Sequence, residues 1–386
     1  MIIYIIWLVY ISELFVGINQ SISTLFKLSV LALILIEIFR KKRLPNVTLI
    51  FIPFLVLCIP PFYMSFSKEA AITEFIRYLN PLLIIILCYL YKEKYLKVGN
   101  TIYYIAITNN LYMIYAYIAF HVGLPTFLQP WYDSGLFIRA YGWIGEVAIF
   151  AYLNLCCFIM SFLKEFSRFI KYRPLFFIFV LLSFSYKAFP MLLIALVFFY
   201  YKRKFFIPTI VIISCALIYL NLDLIVSIIS LGKEKVDYYI LVGNSARYES
   251  YRVMFESLLN GNLVGEGIGS FGGPSSTIFD SPVYEKYYFD WYGLSGLLKT
   301  TDTFYPHVFV ELGLIGGIAY FLALIYPIFK LFKSSKRDKR ESICFLLVVF
   351  SLFLDALWSF NLTSFSYILP CFAFVIGGLS FEEKNI

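Results

Sequence analysis

What most constrains this chain is the recurrence, from Met1 to Leu379, of apolar runs close to the length of a membrane span. A hydrocarbon core ~30 Å thick is crossed by a helix of ~20 apolar residues. Twelve such segments can be read: residues 2–19, 22–39, 47–65, 73–91, 100–121, 144–162, 174–186, 188–201, 205–229, 307–331, 342–358 and 361–380. Helices that are apolar on every side need lipid or a large protein core around them. Composition decides between the two. Hydrophobic residues make up 61% of the chain and charged residues 15%, against roughly a half and a quarter in soluble domains, so polar surface is too scarce to cover the helices. The same richness excludes intrinsic disorder. The expectation is an all-α polytopic membrane protein with about twelve transmembrane helices, forming one integral membrane domain over residues 1–386. The first segment lacks a basic leader and a small-residue cleavage site, so it reads as a retained helix and not as a signal peptide.

The formal charge is +8, and its distribution points to topology. Basic clusters stand at 40–43, at Lys92, Lys94 and Lys97, at Lys164, Arg168, Lys171 and Arg173, at 202–204, and from Lys330 to Arg340. If residues 174–201 form two short helices, split at the Lys187 and Pro190 turn, every cluster falls on the cytoplasmic side. Both termini are then cytoplasmic, and one large extracytoplasmic loop covers 230–306, with a smaller one at 122–143. Loops of that size without low-complexity composition are usually functional. No basic domain exists to bind nucleic acid. The seven cysteines all lie in apolar stretches, and the only histidines are His121 and His307, so neither a disulfide framework nor a metal site is expected. No cofactor is expected either.

Topology leaves six basic residues unexplained: Arg77, Arg139, Lys187, Arg247, Arg252 and His307. All six fall on the outer side in this arrangement. Each has an ordinary alternative: Arg77 snorkelling to the interface, Lys187 capping a turn, Arg252 solvated in a loop, His307 a satisfied interfacial histidine. Together they suggest an anion site, because guanidinium groups match phosphate oxygens in pairs. The run Gly267-Ile-Gly269-Ser-Phe-Gly272 imitates a dinucleotide fingerprint. It lacks the preceding strand and following helix which that motif needs. It reads instead as a tight turn gathering backbone N–H groups. The aromatic run from Tyr284 to Tyr292 suits an interfacial belt or a sugar-stacking platform.

Three segments carry a family likeness: Arg139-Ala-Tyr-Gly142-Trp-Ile-Gly-Glu146; Ser245-Ala-Arg247 to Arg252, followed by Asn262-Leu-Val-Gly265-Glu-Gly267-Ile-Gly269; and His307-Val-Phe-Val-Glu311-Leu-Gly313-Leu-Ile-Gly316. In this order the chain resembles the Wzy O-antigen polymerase family over roughly residues 70–330. The O-antigen ligases share the last two segments. Relatives often carry arginine or threonine in the Ser-rich turn that holds Lys187 here, and lysine lacks the bidentate fork.

The resemblance implies a metal-independent enzyme of the bacterial cytoplasmic (inner) membrane. It would move a growing glycan from undecaprenyl pyrophosphate onto the sugar of a new undecaprenyl-pyrophosphate-linked oligosaccharide, with a chain-length regulator protein as a further partner. Arg247 and Arg139 are then expected to hold the departing pyrophosphate. Arg252, Lys187, Arg77 and the turn glycines Gly267 and Gly269 are expected to help. His307 or Glu146 is expected to accept the acceptor proton. An O-antigen ligase and a lipid-linked oligosaccharide flippase are the competing readings. The flippase is disfavoured because the unexplained charges gather at one face, not at the midplane.

Overall fold

The computed structural model describes residues 1–42, 44–133, 137–200, 245–289, 300–334 and 338–381, with Ser230 and Lys233 beside them. The described residues are mostly helical. The first helices are α1 (Ile2–Leu14), α2 (Gln20–Arg40), α3 (Phe51–Leu57), α4 (Ile59–Tyr63), α5 (Lys68–Leu90) and α6 (Tyr95–Val122). A small antiparallel ribbon follows, β1 (Trp131–Asp133) and β2 (Phe137–Arg139), with Trp131 opposite Arg139. Then come α7 (Val147–Met160), α8 (Arg173–Leu182) and α9 (Ala188–Tyr200). Three helices follow in residues 245–289, α10 (Ala246–Leu259), α11 (Pro274–Ile278) and α12 (Val283–Lys286). The chain closes with α13 (Phe304–Ser334), α14 (Lys339–Asp355) and α15 (Phe365–Phe381).

Among the described residues, α2, α5 and residues 304–330 of α13 are long and apolar enough to cross a membrane; other apolar helices, α7 and α9 among them, are shorter. Large apolar side chains such as Leu25, Leu28, Ile36 and Phe39 on α2 lie exposed along the helix. Contiguous apolar exposure of this kind is foreign to a water-facing surface, and it is the surface of a membrane protein. α7 is the opposite case: thirteen of its residues are buried, which places it at the centre of the bundle. There, buried Asn110 donates to Asn154 Oδ1 at 2.7 Å across α6 and α7, the kind of amide pair that joins helices in lipid.

Residues 173–200 do form two helices, α8 and α9, separated by a turn at 183–187. The segment 47–65 is not one helix: a 3₁₀ turn (Asn46–Ile50), α3 and α4 divide it, as Pro53, Pro60 and Pro61 require by removing N–H donors. The segment 205–229 and residues 231–232, 234–244 and 290–299 of the 230–306 loop lie outside the described residues.

The tenth expected segment holds a break that its apolar pattern hides. Gly313 in α13 has φ 67° and ψ −176°, a conformation essentially restricted to glycine. Every residue from Phe304 to Leu312 is buried or half-buried, and the exposed apolar side chains of this helix begin at Leu314 and Ile315. The 304–312 stretch is thus a half-helix enclosed by protein, continued by a lipid-facing one.

Contacts separate the two ends of the bundle. At one end, Lys41 and Lys94 lie over the Tyr91 ring, Arg168 over Tyr104 and Phe169, and Arg173 and Arg340 over Phe162. This is the basic end. The cluster at 202–204 is outside the described residues. Of the six singled-out basic residues, Arg77, Lys187 and His307 lie on or beside α5, α8, α9 and α13 away from the basic end, while Arg139 lies on β2 and Arg247 and Arg252 on α10.

Candidate functional site

The far end is assembled by side chains reaching between elements. Arg139, at the end of β2, donates through Nε to the Ser183 carbonyl at 3.0 Å and through Nη2 to the Phe184 carbonyl at 3.1 Å. The next residue, Ala140, donates its N–H to Leu182 O. Together they clasp the C-terminus of α8 and fix the turn that presents Lys187. Lys187 Nζ donates to the Trp358 carbonyl at 2.6 Å and lies 3.9 Å from Asp355 Oδ1. Burial lowers its pKa, opposed by the Asp355 charge. Tyr251 of α10 donates to Leu357 O at 2.8 Å, beside that same segment. At the start of α10, capped by the Ser245 side chain, Arg247 Nη2 pairs with Asp302 Oδ2 at 2.9 Å.

Asp302 precedes Thr303, whose hydroxyl is 2.8 Å from that of Ser250, and α13 begins immediately after. It carries His307 and Glu311 on one face, four residues apart. His307 Nδ1 lies 2.7 Å from the Phe271 carbonyl oxygen. Its Nε2 lies 3.5 Å from Glu74 Oε1 and 3.6 Å from Glu311 Oε2. Glu311 accepts from the Phe271 N–H and from the Tyr78 hydroxyl. Glu74 accepts from Arg77 Nη1 at 2.7 Å. Glu74, His307 and Glu311 are fully buried.

The site predicted from sequence is therefore brought together at one end, but its members divide into two kinds. Arg77, Lys187 and Arg247 retain 28%, 24% and 27% side-chain exposure, and Arg252 retains 36%, so exposure alone does not separate them; the number of protein groups each one meets does. Arg252 was expected to assist an anion; instead it donates to Glu249, to Glu256 and to the Tyr287 and Tyr288 carbonyls. Its geometry is that of a brace between α10 and the turn after α12. Arg139 braces as well, through the carbonyls it clasps. Gly267 and Gly269 do form the expected tight turn, but not an open cradle. Gly267 N–H donates to Glu311 O, while the Gly269 and Phe271 N–H groups face the Glu311 carboxylate. Both glycines serve close backbone approach: a Cβ at either position would come within 2.7 Å of the backbone at Ser65 or Ala70. His307 has both ring nitrogens turned to protein groups. Glu146, the N-cap of α7, is partly buried.

Sequence reasoning passed over Glu74, Asp302 and Asp355, and gave Glu311 no role although it stands in the segment that begins at His307. A signal existed for Glu74 and Glu311, since a carboxylate inside an apolar helix marks function or pairing. Comparison of the chain with protein-family models, with curated proteins and with solved structures gives no match in any of the three.

Proposed function

We propose that this chain is a membrane glycosyltransferase, a repeat-unit polymerase of the O-antigen type, working on undecaprenyl-pyrophosphate-linked oligosaccharides at the outer face of the bacterial cytoplasmic membrane. An acceptor sugar hydroxyl attacks the anomeric carbon of the growing glycan. The bond from that carbon to the pyrophosphate oxygen breaks with inversion, undecaprenyl pyrophosphate leaves with the electron pair, and the hydroxyl proton passes to a base.

The observation that carries this reading is the set of three partly exposed cations, Arg77, Lys187 and Arg247, within one web of side chains at the far end. Charge developing on a departing pyrophosphate is best stabilised by cations already held in place, because they need not reorganise during the reaction. Arg139 acts through Lys187, whose turn it clasps, and Arg252 through the position of α10. Glu146 serves as the base: it is a half-buried carboxylate at the N-cap of α7, within electrostatic reach of Lys187 and Asp302, and a positioned carboxylate can accept the hydroxyl proton. The apolar flanks of the bundle give the polyprenyl chains their medium.

The test is reconstitution in nanodiscs with one defined undecaprenyl-pyrophosphate-linked repeat unit, without added metal. A ladder of lengthened products on a gel supports polymerisation. Intact protein with unchanged substrate points to a ligase or a flippase, which an added ligase acceptor and a translocation assay would separate.

A further inference from the structure

We propose that Glu74 is a positioning residue that shares a single proton with His307 and Glu311, and that this proton locks α5, the 267–273 turn and the enclosed half of α13 into one unit behind Arg77. The inference rests on the reading of Arg77 as a ligand-facing cation only for its catalytic consequence; the proton itself follows from geometry.

A carbonyl oxygen only accepts, so His307 Nδ1, at 2.7 Å from Phe271 O, must carry hydrogen. That leaves Nε2, which faces Glu74 Oε1 at 3.5 Å and Glu311 Oε2 at 3.6 Å. Nε2 and Glu74 Oε1 are buried with no hydrogen-bond partner. A bare Nε2 would turn its lone pair toward two carboxylate oxygens in an apolar surrounding, where like charge is least screened. One proton between them converts this repulsion into attraction.

Charge counting agrees. Glu74 and Glu311 contribute two negative charges, Arg77 one positive charge, and one shared proton brings the cluster to neutrality. The remaining oxygens are already accepting: Glu74 Oε2 from Arg77, Glu311 Oε1 from Phe271 N–H, and Glu311 Oε2 from Tyr78. Other groups near the cluster add no charge: Tyr78, Tyr320 and Tyr284 are neutral as phenols, and Phe304 and Phe360 against the imidazole do not ionise. Gly273 makes the approach of the two ionisable side chains possible, since a Cβ there would come within 2.7 Å of His307 Cε1 and 2.8 Å of Glu74 Cδ.

Losing the proton leaves a net buried negative charge, so the seam weakens as pH rises through the cluster's own titration. Glu74→Gln removes one negative charge and needs no proton for neutrality, which makes the seam insensitive to alkali. The experiment uses the full chain in nanodiscs with ¹⁵N-labelled histidine and a His121→Gln background, so that a single imidazole reports. Alongside it, infrared spectroscopy follows protonated carboxyl groups.

At neutral pH, either a doubly protonated His307 or one buried carboxylic acid is expected, absent in the Glu74→Gln variant. A neutral imidazole with both carboxylates ionised in the wild-type protein overturns the proposal. Thermal unfolding against pH is the second readout. The wild-type protein should lose stability toward alkaline pH relative to Glu74→Gln, by up to about tenfold in the unfolding equilibrium per pH unit. Lys187 contributes alike to both proteins, so the difference isolates the cluster. Parallel curves also overturn it. Neither readout depends on polymerisation, so failure of the enzymatic reading leaves this test standing. If polymerisation holds, Glu74→Gln should raise KM for the lipid-linked donor more than it lowers kcat, through a displaced Arg77.

Discussion

Both ends of the bundle are rich in cations, yet they hold them differently. At the basic end aromatic faces recur as partners, with Tyr91 under Lys41 and Lys94, Phe169 under Arg168 and Phe162 under Arg173 and Arg340, beside Ser161 for Arg173 and Glu37 for Arg40. At the far end the partners are carboxylates and carbonyl oxygens: Asp302 for Arg247, Glu74 for Arg77, Trp358 O and Asp355 for Lys187. A ring face attracts a cation weakly and leaves the head in water. A carboxylate orients it and can be displaced by a stronger anion. The first arrangement suits charges whose task is to stay on one side of a membrane. The second suits charges that a bound anion, such as the proposed pyrophosphate, would draw away from their carboxylates.

The sharpest way to break this comparison is at Arg247. Arg247→Lys keeps the charge but loses the fork, and polymer yield in the reconstituted assay should fall about 10²–10³-fold, the loss typical of one removed charge-stabilising donor. Unchanged chain length and yield would show that the far-end cations are no different in kind from the basic ones. Glu146→Gln should lower kcat by about 10²-fold with KM little changed, as loss of a general base does, measurable in single-turnover transfer.

Lys187 sharpens the contrast through pH. Its pKa is lowered by burial, so the ammonium is lost at a lower pH than an ordinary lysine loses it. Attraction for pyrophosphate is complete below that point and disappears above it. Donor affinity should weaken on the alkaline side, and Lys187→Arg, which stays charged, should carry tight binding to higher pH. Arg252→Ala should act on structure, leaving a buried Glu249 without its cation and lowering unfolding stability by about 2 kcal/mol. The smallest effect belongs to the other end: Arg168→Ala should change stability by no more than about 0.5–1 kcal/mol, the worth of an exposed cation–π contact, and leave transfer untouched.

These differences show how far the sequence could be read. Apolar run length announced most of the helices, and Arg77, Arg247 and His307 stood out as cations that the topology left unexplained. The split of 174–201 was legible because lysine and proline interrupt it. What stayed hidden was partnership. Tyr78 meets Glu311 across 233 positions of sequence, and no local pattern encodes that. Arg252 and Arg139 looked like ligand-facing arginines because residue type alone does not say whether a guanidinium will meet a carbonyl of its own chain first. The break at Gly313 was hidden because apolar periodicity continues through it. Backbone conformation, not hydropathy, marks the spot.

That break has a consequence for how the molecule is made. Around Gly313, Leu314 and Ile315 donate their N–H groups to the carbonyls of Asn262 and Leu263, while Glu266 and Gly267 donate to the carbonyls of Val310 and Glu311. The loop thus supplies hydrogen bonds on both sides of the glycine, where helix and loop are spliced together. A nascent chain threading residues 304–334 into the bilayer would leave polar backbone groups unmet in a medium without water until residues 262–267 arrive. Insertion of this helix and folding of the segment before it are accordingly a single step of biogenesis. An insult to the Gly-rich turn should surface first as a protein that fails to integrate and is degraded, before it is ever seen as an inactive enzyme.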